Sequence, residues 1–319
     1  LSSVNIPESV TSIGNSAFEG CSSLSSINIP ESVTSIGQSA FQGCSSLTSL
    51  NIPEKITNIN GYLADGCSSL KSIVFPKKIE RIYSYAFNGC SALSSVTFKG
   101  NRVISIGESA FSGCVSLTSI TLPKSLTTIG NQAFRSCSSL KKITLPEGME
   151  AIGGGVFAYC YSLTDVVINY GPKSLPSGMF FTCTSLKNVT IPESVISINS
   201  SSASSGTYLT SYGNGPIFGN CTSLESIVIP ESVTSIGRDA FNGCSALTSV
   251  ALPSGLKTID YYTFCNCTSL ASIDLPEGLT EIESSVFRNC TSLASIDLPE
   301  GLTKIGDSAF WGSKLSSVT

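Results

Sequence analysis

The string LSSINIPESVTSIGQSAFQGCSS, residues 24–46, returns with small edits along almost all of the chain's 319 residues. Leu47, Leu70, Leu93 and Leu117 open the next copies, and Leu224, Leu247, Leu270 and Leu293 open later ones. A period of 23 residues held over many copies constrains the fold more than any other feature. Each copy is too short to bury its apolar face alone, so it must be one coil of a solenoid that buries that face against the next. The reading is a repeat solenoid, leucine-rich-repeat-like, of about thirteen coils of 23 residues, with short parallel strands joined by tight turns or short helical turns. Residues 1–319 read as a single solenoid domain, and both ends cut through a repeat, which marks a fragment of a longer chain.

Composition narrows function by exclusion. Hydrophobic residues make up 41% and charged residues 13%, so a filled core is covered by a surface of Ser, Thr, Asn and Gly. A net charge of -4 lacks the basic footprint of a general nucleic-acid binder. Histidine is absent, which removes the commonest general base near neutral pH and the commonest metal ligand. No apolar run approaches the roughly 20 residues of a membrane span, so direct membrane insertion of this segment is not expected.

Within one copy the apolar positions are Leu24, Ile27, Ile29, Val33, Ile36, Phe41 and Cys44. The alternation in residues 24–29 predicts a short strand with Ile27 and Ile29 facing inward. Pro30 ends it, because proline has no N–H to give to a ladder. Residues 33–36 form a second extended piece, Gly37 turns the chain through a conformation costly for other residues, and residues 39–43 bring Phe41 inward. Stacking at about 4.8 Å predicts a continuous parallel sheet on one face and a body roughly 60 Å long.

The pattern L-x-x-I-x-I-P-x-x-V-T-S-I-G-x-x-A-F-x-G-C resembles the BspA-like leucine-rich repeats, also called the Treponema pallidum type. The A-F-x-G-C segment at 17–21, 40–44 and 240–244 carries the resemblance, which covers essentially the whole chain. It implies a secreted or surface-displayed protein acting as an adhesin toward host extracellular proteins or other cells, with no catalytic residues to transfer. Some copies depart from the pattern: Tyr62, Leu63 and Ala64 replace Ser, Ala and Phe, and residues 99–102 and 169–172 replace the proline turn.

Twelve of thirteen cysteines fall at one coil position, where a buried thiol packs as a small hydrophobe, although coil spacing also permits disulfides between neighbours. Cys265 lies two residues before Cys267, at a position that faces outward in other copies, and reads as an exposed thiol. Asp274 and Asp297 share an outward strand position in adjacent copies and are cation candidates, even candidates for glycosidase chemistry; duplication of ASIDLPEGLT is the simpler explanation. The segment 153–158, GGGVFA, matches a dinucleotide fingerprint only formally, since no βαβ unit surrounds it. Tyr62 and Tyr85 share a coil position, and Tyr261 and Tyr262 recur there later; they read as packing over the turns, with interface anchors as the alternative.

Information about a partner resides where copies differ. Residues 199–213 form an inserted polar loop whose large side chains are Tyr208, Leu209 and Tyr212. Near it in sequence, Lys141, Lys142, Asp165, Lys187 and Asn188 break the Ser/Thr monotony of the outward strand positions. These eight residues are the partner-binding candidates, with a protein or glycan, including host extracellular matrix, as the partner. No catalytic constellation, metal site, cofactor or nucleic-acid partner is expected. The leading reading is a non-catalytic scaffold at the cell surface or secreted; the alternative is a structural spacer holding another module away from the surface.

Overall fold

The computed structural model describes residues 2–198 and 215–318. It contains two compact units, Leu1–Val156 and Phe157–Thr319. Each is a stack of coils of the expected kind, and no helix occurs among the described residues. Among the described residues, tight turns connect the strands of each coil.

The first strand of a coil is represented by Ser26–Asn28, whose burial alternates with Ile27 inward, and the second by Ser35–Ile36 with Ile36 inward. Thirteen copies of the second strand are present among the described residues, from Ser12–Ile13 to Lys304–Ile305. Pairing is parallel and in register with the repeat: Ile27 lies opposite Val4, and Ile36 opposite Ile13. Between the strands, Val33 N–H closes a turn onto Pro30 O at 3.0 Å.

The segment after the second strand adds a third ladder, running in the opposite sense. Thr34 N and Gly37 N donate backward to Thr11 O and Ile13 O, whereas Ser39 N, Phe41 N and Gly43 N donate forward to Gly61 O, Leu63 O and Asp65 O at 2.7–3.0 Å. Aligning alternate N–H groups on one side requires peptide planes to be flipped, and Ser39 at φ 56° with Gly43 at φ 72° supplies the flip. The first of these positions is left-handed even where it is Tyr62, Tyr85, Gln132 or Asp239. A left-handed non-glycine residue costs roughly 1 kcal/mol or more, offset here by the ladder bonds that the flip permits.

The glycine at 37 has another cause than the one expected. It is not left-handed; a Cβ there would fall 2.4 Å from Asn15 N and 2.5 Å from Gly14 C, so the coils approach too closely for any side chain. Close approach, not backbone conformation, demands glycine there.

Phenylalanines stack along the core. In the first unit Phe18 lies on Phe41 at 5.5 Å and Phe111 between Phe87 and Phe134 at 5.5 Å each, all nearly parallel. In the second unit the stack runs from Phe157 through Phe180, Phe218, Phe241, Phe264 and Phe287 to Phe310 at 5.2–6.0 Å. Where the third coil exchanges Ala-Phe for Leu63 and Ala64, both stay buried, and Phe75 packs edge-on to Phe87 at 5.6 Å.

All thirteen cysteines are free thiols. In the repeat column, Cys67 Sγ donates to Phe41 O at 3.1 Å and Cys290 Sγ to Phe264 O at 3.2 Å, so each thiol caps a carbonyl of the preceding coil. Burial pushes the Cys67, Cys137 and Cys244 thiols up to about 12. Cys265 corrects the expectation of an exposed thiol: it is 4% exposed, and burial raises its pKa to about 11.

Candidate functional site

The outward positions of the first strand carry mostly small uncharged side chains on a rigid ladder, with Ser26, Ser72 and Ser95 exposed in successive first-unit strands. That ladder is interrupted, contrary to the continuous sheet expected from the repeat. Ser26–Asn28 pairs with Ser3–Asn5 and Ser72–Phe75 with Ser95–Phe98, but residues 48–52 between them form no strand. Two asparagine side chains bond across the coils here, one beside each strand ladder. Asn51 uses its side chain where the backbone ladder would run: Nδ2 donates to Ile29 O at 2.7 Å and Oδ1 accepts Ile29 N at 2.9 Å. Asn60, at the position of Gly14 and Gly37, donates Nδ2 to Ile36 O at 2.6 Å, taking a carbonyl that the second-strand ladder would use.

A groove of about 470 Å³ opens at this break. Leu50, Ile52, Val74 and Pro76 form its apolar wall, Asn28 and Asn51 its polar wall, and Glu31, Glu54 and Lys99 its charged rim. Lys99 Nζ reaches Glu54 Oε1 at 2.9 Å, and this hydrogen-bonded ion pair holds the Glu54 carboxyl below its ordinary value. Periodicity could not reveal the groove, because Asn51 occupies an outward position that looks permissive. Its pairing with Ile29 depends on the neighbouring coil.

The residues singled out from sequence fall in different places. Lys141 and Lys142 are exposed in the first unit, Lys142 opening the strand Lys142–Leu145, and Lys141 N donates to Thr118 O at 3.2 Å. In the second unit Asp165 lies opposite Asn188 in parallel register. Asn188 Nδ2 donates to Asp165 Oδ1 at 2.9 Å and Thr164 Oγ1 to Asp165 Oδ2 at 2.7 Å, so these side chains brace two coils against each other. Lys187 is exposed beside them, its N–H bound to Thr164 O at 3.1 Å. Tyr208, Leu209 and Tyr212, with the 199–213 insertion, lie outside the described residues.

Asp274 and Asp297 are both exposed; Asp274 bridges Ala251, and Asp297 follows the strand Ser295–Ile296. Among the described residues, no group of three or more His, Cys, Asp or Glu side chains converges as a metal site would. Tyr62 and Tyr85 stack in parallel at 4.8 Å, and Tyr85 Oη donates to Glu108 Oε1 at 2.9 Å, which raises the phenol pKa. These rings pack over the turns as their shared position predicts. The GGGVFA segment occupies an ordinary coil turn, with Gly153 excluded from bearing a Cβ by Asn131 N at 2.3 Å.

The family model of the BspA type leucine rich repeat region, which spans six copies, matches residues 1–114, 104–212 and 214–319. The chain belongs to the BspA-type leucine-rich repeat family. Two solved members of the same architecture are similar throughout. A leucine-rich repeat protein of Bacteroides ovatus is 28% identical with a TM-score of 0.69, covering 95% of this chain and 76% of that one. A leucine rich cell surface protein of Faecalibacterium prausnitzii is 29% identical with a TM-score of 0.66, covering 100% and 87%. No curated protein matches. BspA-type and other leucine-rich repeats are generally protein-binding scaffolds and typically non-catalytic, in keeping with a rigid ladder that holds outward side chains in fixed rows.

Proposed function

We propose that this chain is an adhesin-like scaffold, displayed at the cell surface or secreted, that presents its outward strand positions to a protein or glycan of a host or another cell. The observation that carries the reading is the rigid, largely uncharged outward row, broken by a groove of about 470 Å³ and by the charged positions Lys141, Lys142 and Lys187. A preorganised row of polar groups loses little entropy on contact, which favours binding over a large shallow area. The description of the Faecalibacterium prausnitzii relative as a cell surface protein supports the location.

The test immobilises the chain and measures binding of extracellular matrix proteins and of whole host cells. Saturable binding is expected, weakened when Lys141→Glu and Lys142→Glu are combined with deletion of residues 199–213. A spacer would bind nothing specifically and would be indifferent to both changes, and that result would displace the scaffold reading.

A further inference from the structure

The chain carries -4 overall, but its charge is segregated. Residues 47–139 hold nine of the eighteen basic residues and four of the twenty-two acidic ones, a local charge of +5, which leaves -9 for the rest. The excess concentrates on one structural feature, the turn that follows the first strand in four successive coils of the first unit. Lys55, Lys77, Lys78, Lys99, Arg102 and Lys124 stand on these turns, and all six are exposed.

The turns stack directly. A Cβ on Gly100 would fall 2.4 Å from Lys77 O, Asn101 Oδ1 accepts Ser125 N at 3.1 Å, and Lys99 spans two coils to reach Glu54. At about 4.8 Å per coil, four turns make a basic edge of roughly 15 Å. Lys99 and Arg102 pair with Glu54 and Glu80, whereas Lys55, Lys77, Lys78 and Lys124 form no ion pair with any of the described residues. The edge is bounded by turns bearing Glu8 and Glu31 on one side and Glu147 on the other.

We infer that this edge binds a linear sulfated polysaccharide. Charge complementarity selects an anionic partner, and three observations select its class. The residues that close the turns, Ile56, Ile79, Val103 and Leu126, are buried, so the edge offers no apolar or aromatic anchor of the kind a peptide partner uses. Single-stranded nucleic acid needs aromatic platforms for its bases, and these turns carry none. A duplex needs a longer phosphate footprint than an edge closed at both ends by glutamates. A thin chain whose dense charges are recognised individually by ammonium groups meets these limits, and five of the six cations are lysines. The inference rests on the scaffold reading only in taking the chain to meet partners outside the cell.

The test titrates the full chain into a fluorescently labelled heparin-derived oligosaccharide at low salt, with polyglutamate and oligothymidylate of equal charge as competitors. Expected are heparin binding that weakens steeply with salt and a loss of at least about tenfold in K55Q/K77Q/K78Q/K124Q. The same four positions as arginine should retain binding, which separates lost charge from lost fold, and K173Q/K257Q/K314Q should bind like the parent. No heparin binding, binding undiminished in the glutamine variant, or equally strong capture of either competitor overturns the inference. Adhesion to matrix proteins that survives the glutamine variant leaves the scaffold reading standing, so the two can fail separately.

Discussion

Replacing Gly37 by alanine tests why the repeat carries glycine there. The new Cβ would lie 2.4 Å from Asn15 N, 2.5 Å from Asn15 Oδ1 and 2.5 Å from Gly14 C, and two of these are backbone atoms that cannot rotate away. The second coil must lift, straining the bonds from Gly37 N to Ile13 O at 2.8 Å and from Gln38 N to Asn15 Oδ1 at 2.9 Å. Overpacking of this kind costs about 1–3 kcal/mol, and weakening two bonds adds about 1 kcal/mol. A total loss of about 2–4 kcal/mol follows. Two internal controls separate space from conformation. Gly14 has nothing within 4 Å of its would-be Cβ and is not left-handed, so Gly14→Ala should change stability by less than about 0.5 kcal/mol. Gly43 has room, its nearest neighbour lying at 3.6 Å, but sits at φ 72°, so Gly43→Ala should cost about 1 kcal/mol. Guanidinium unfolding of the three variants reads the order directly. If Gly43→Ala proved as damaging as Gly37→Ala, close approach of the coils would not be the reason for the glycine.

The thiol column predicts a distinctive alkaline response. The folded pKa of these thiols is raised above the unfolded value by burial, so the neutral form's contribution is complete below about pH 9 and is lost as pH rises toward the folded values of about 12 for Cys67, Cys137 and Cys244. The denaturant midpoint should therefore fall between pH 9 and 11, and a thiol reagent at pH 8 should label the twelve buried cysteines only on unfolding, with the half-buried Cys21 alone open to earlier reaction; prompt labelling of more than one thiol in the native chain would contradict the burial. Asn51→Ala removes both bonds to Ile29 and should cost about 1–2 kcal/mol, whereas Asn28→Ala at the equivalent exposed position should cost less than about 0.5 kcal/mol, both read by thermal unfolding.

Much of the architecture was legible because every coil repeats the same solution. The column that contains Ile27 and Ile36, the proline that ends the first strand and the buried Phe41 and Cys44 are all stated in one copy of 23 residues. The family resemblance was carried by the same letters, and for that reason these letters say nothing about a partner. Lys141, Lys142, Asp165, Lys187 and Asn188 were found by their departure from the pattern, and the structure ties Asp165 and Asn188 to each other.

What escaped the sequence depends on distances between residues 22 to 45 apart, which no single copy displays. Gly37 looks like a turn residue until the neighbouring coil is seen 2.4 Å from its missing Cβ. Cys265 looks outward by its place in the repeat, yet it is buried. Asn51 and Asn60 look like permitted polar substitutions, and only stacking shows them bonding to the preceding coil, with Asn51 lining a groove. The lysines of four successive turns are scattered over 70 residues of chain, from Lys55 to Lys124, and become one edge because the coil returns each turn beside the last. Sequence determined the coil, since its apolar period has one way to bury itself. Tertiary structure decided the surface, since a surface is made of positions that different coils bring together.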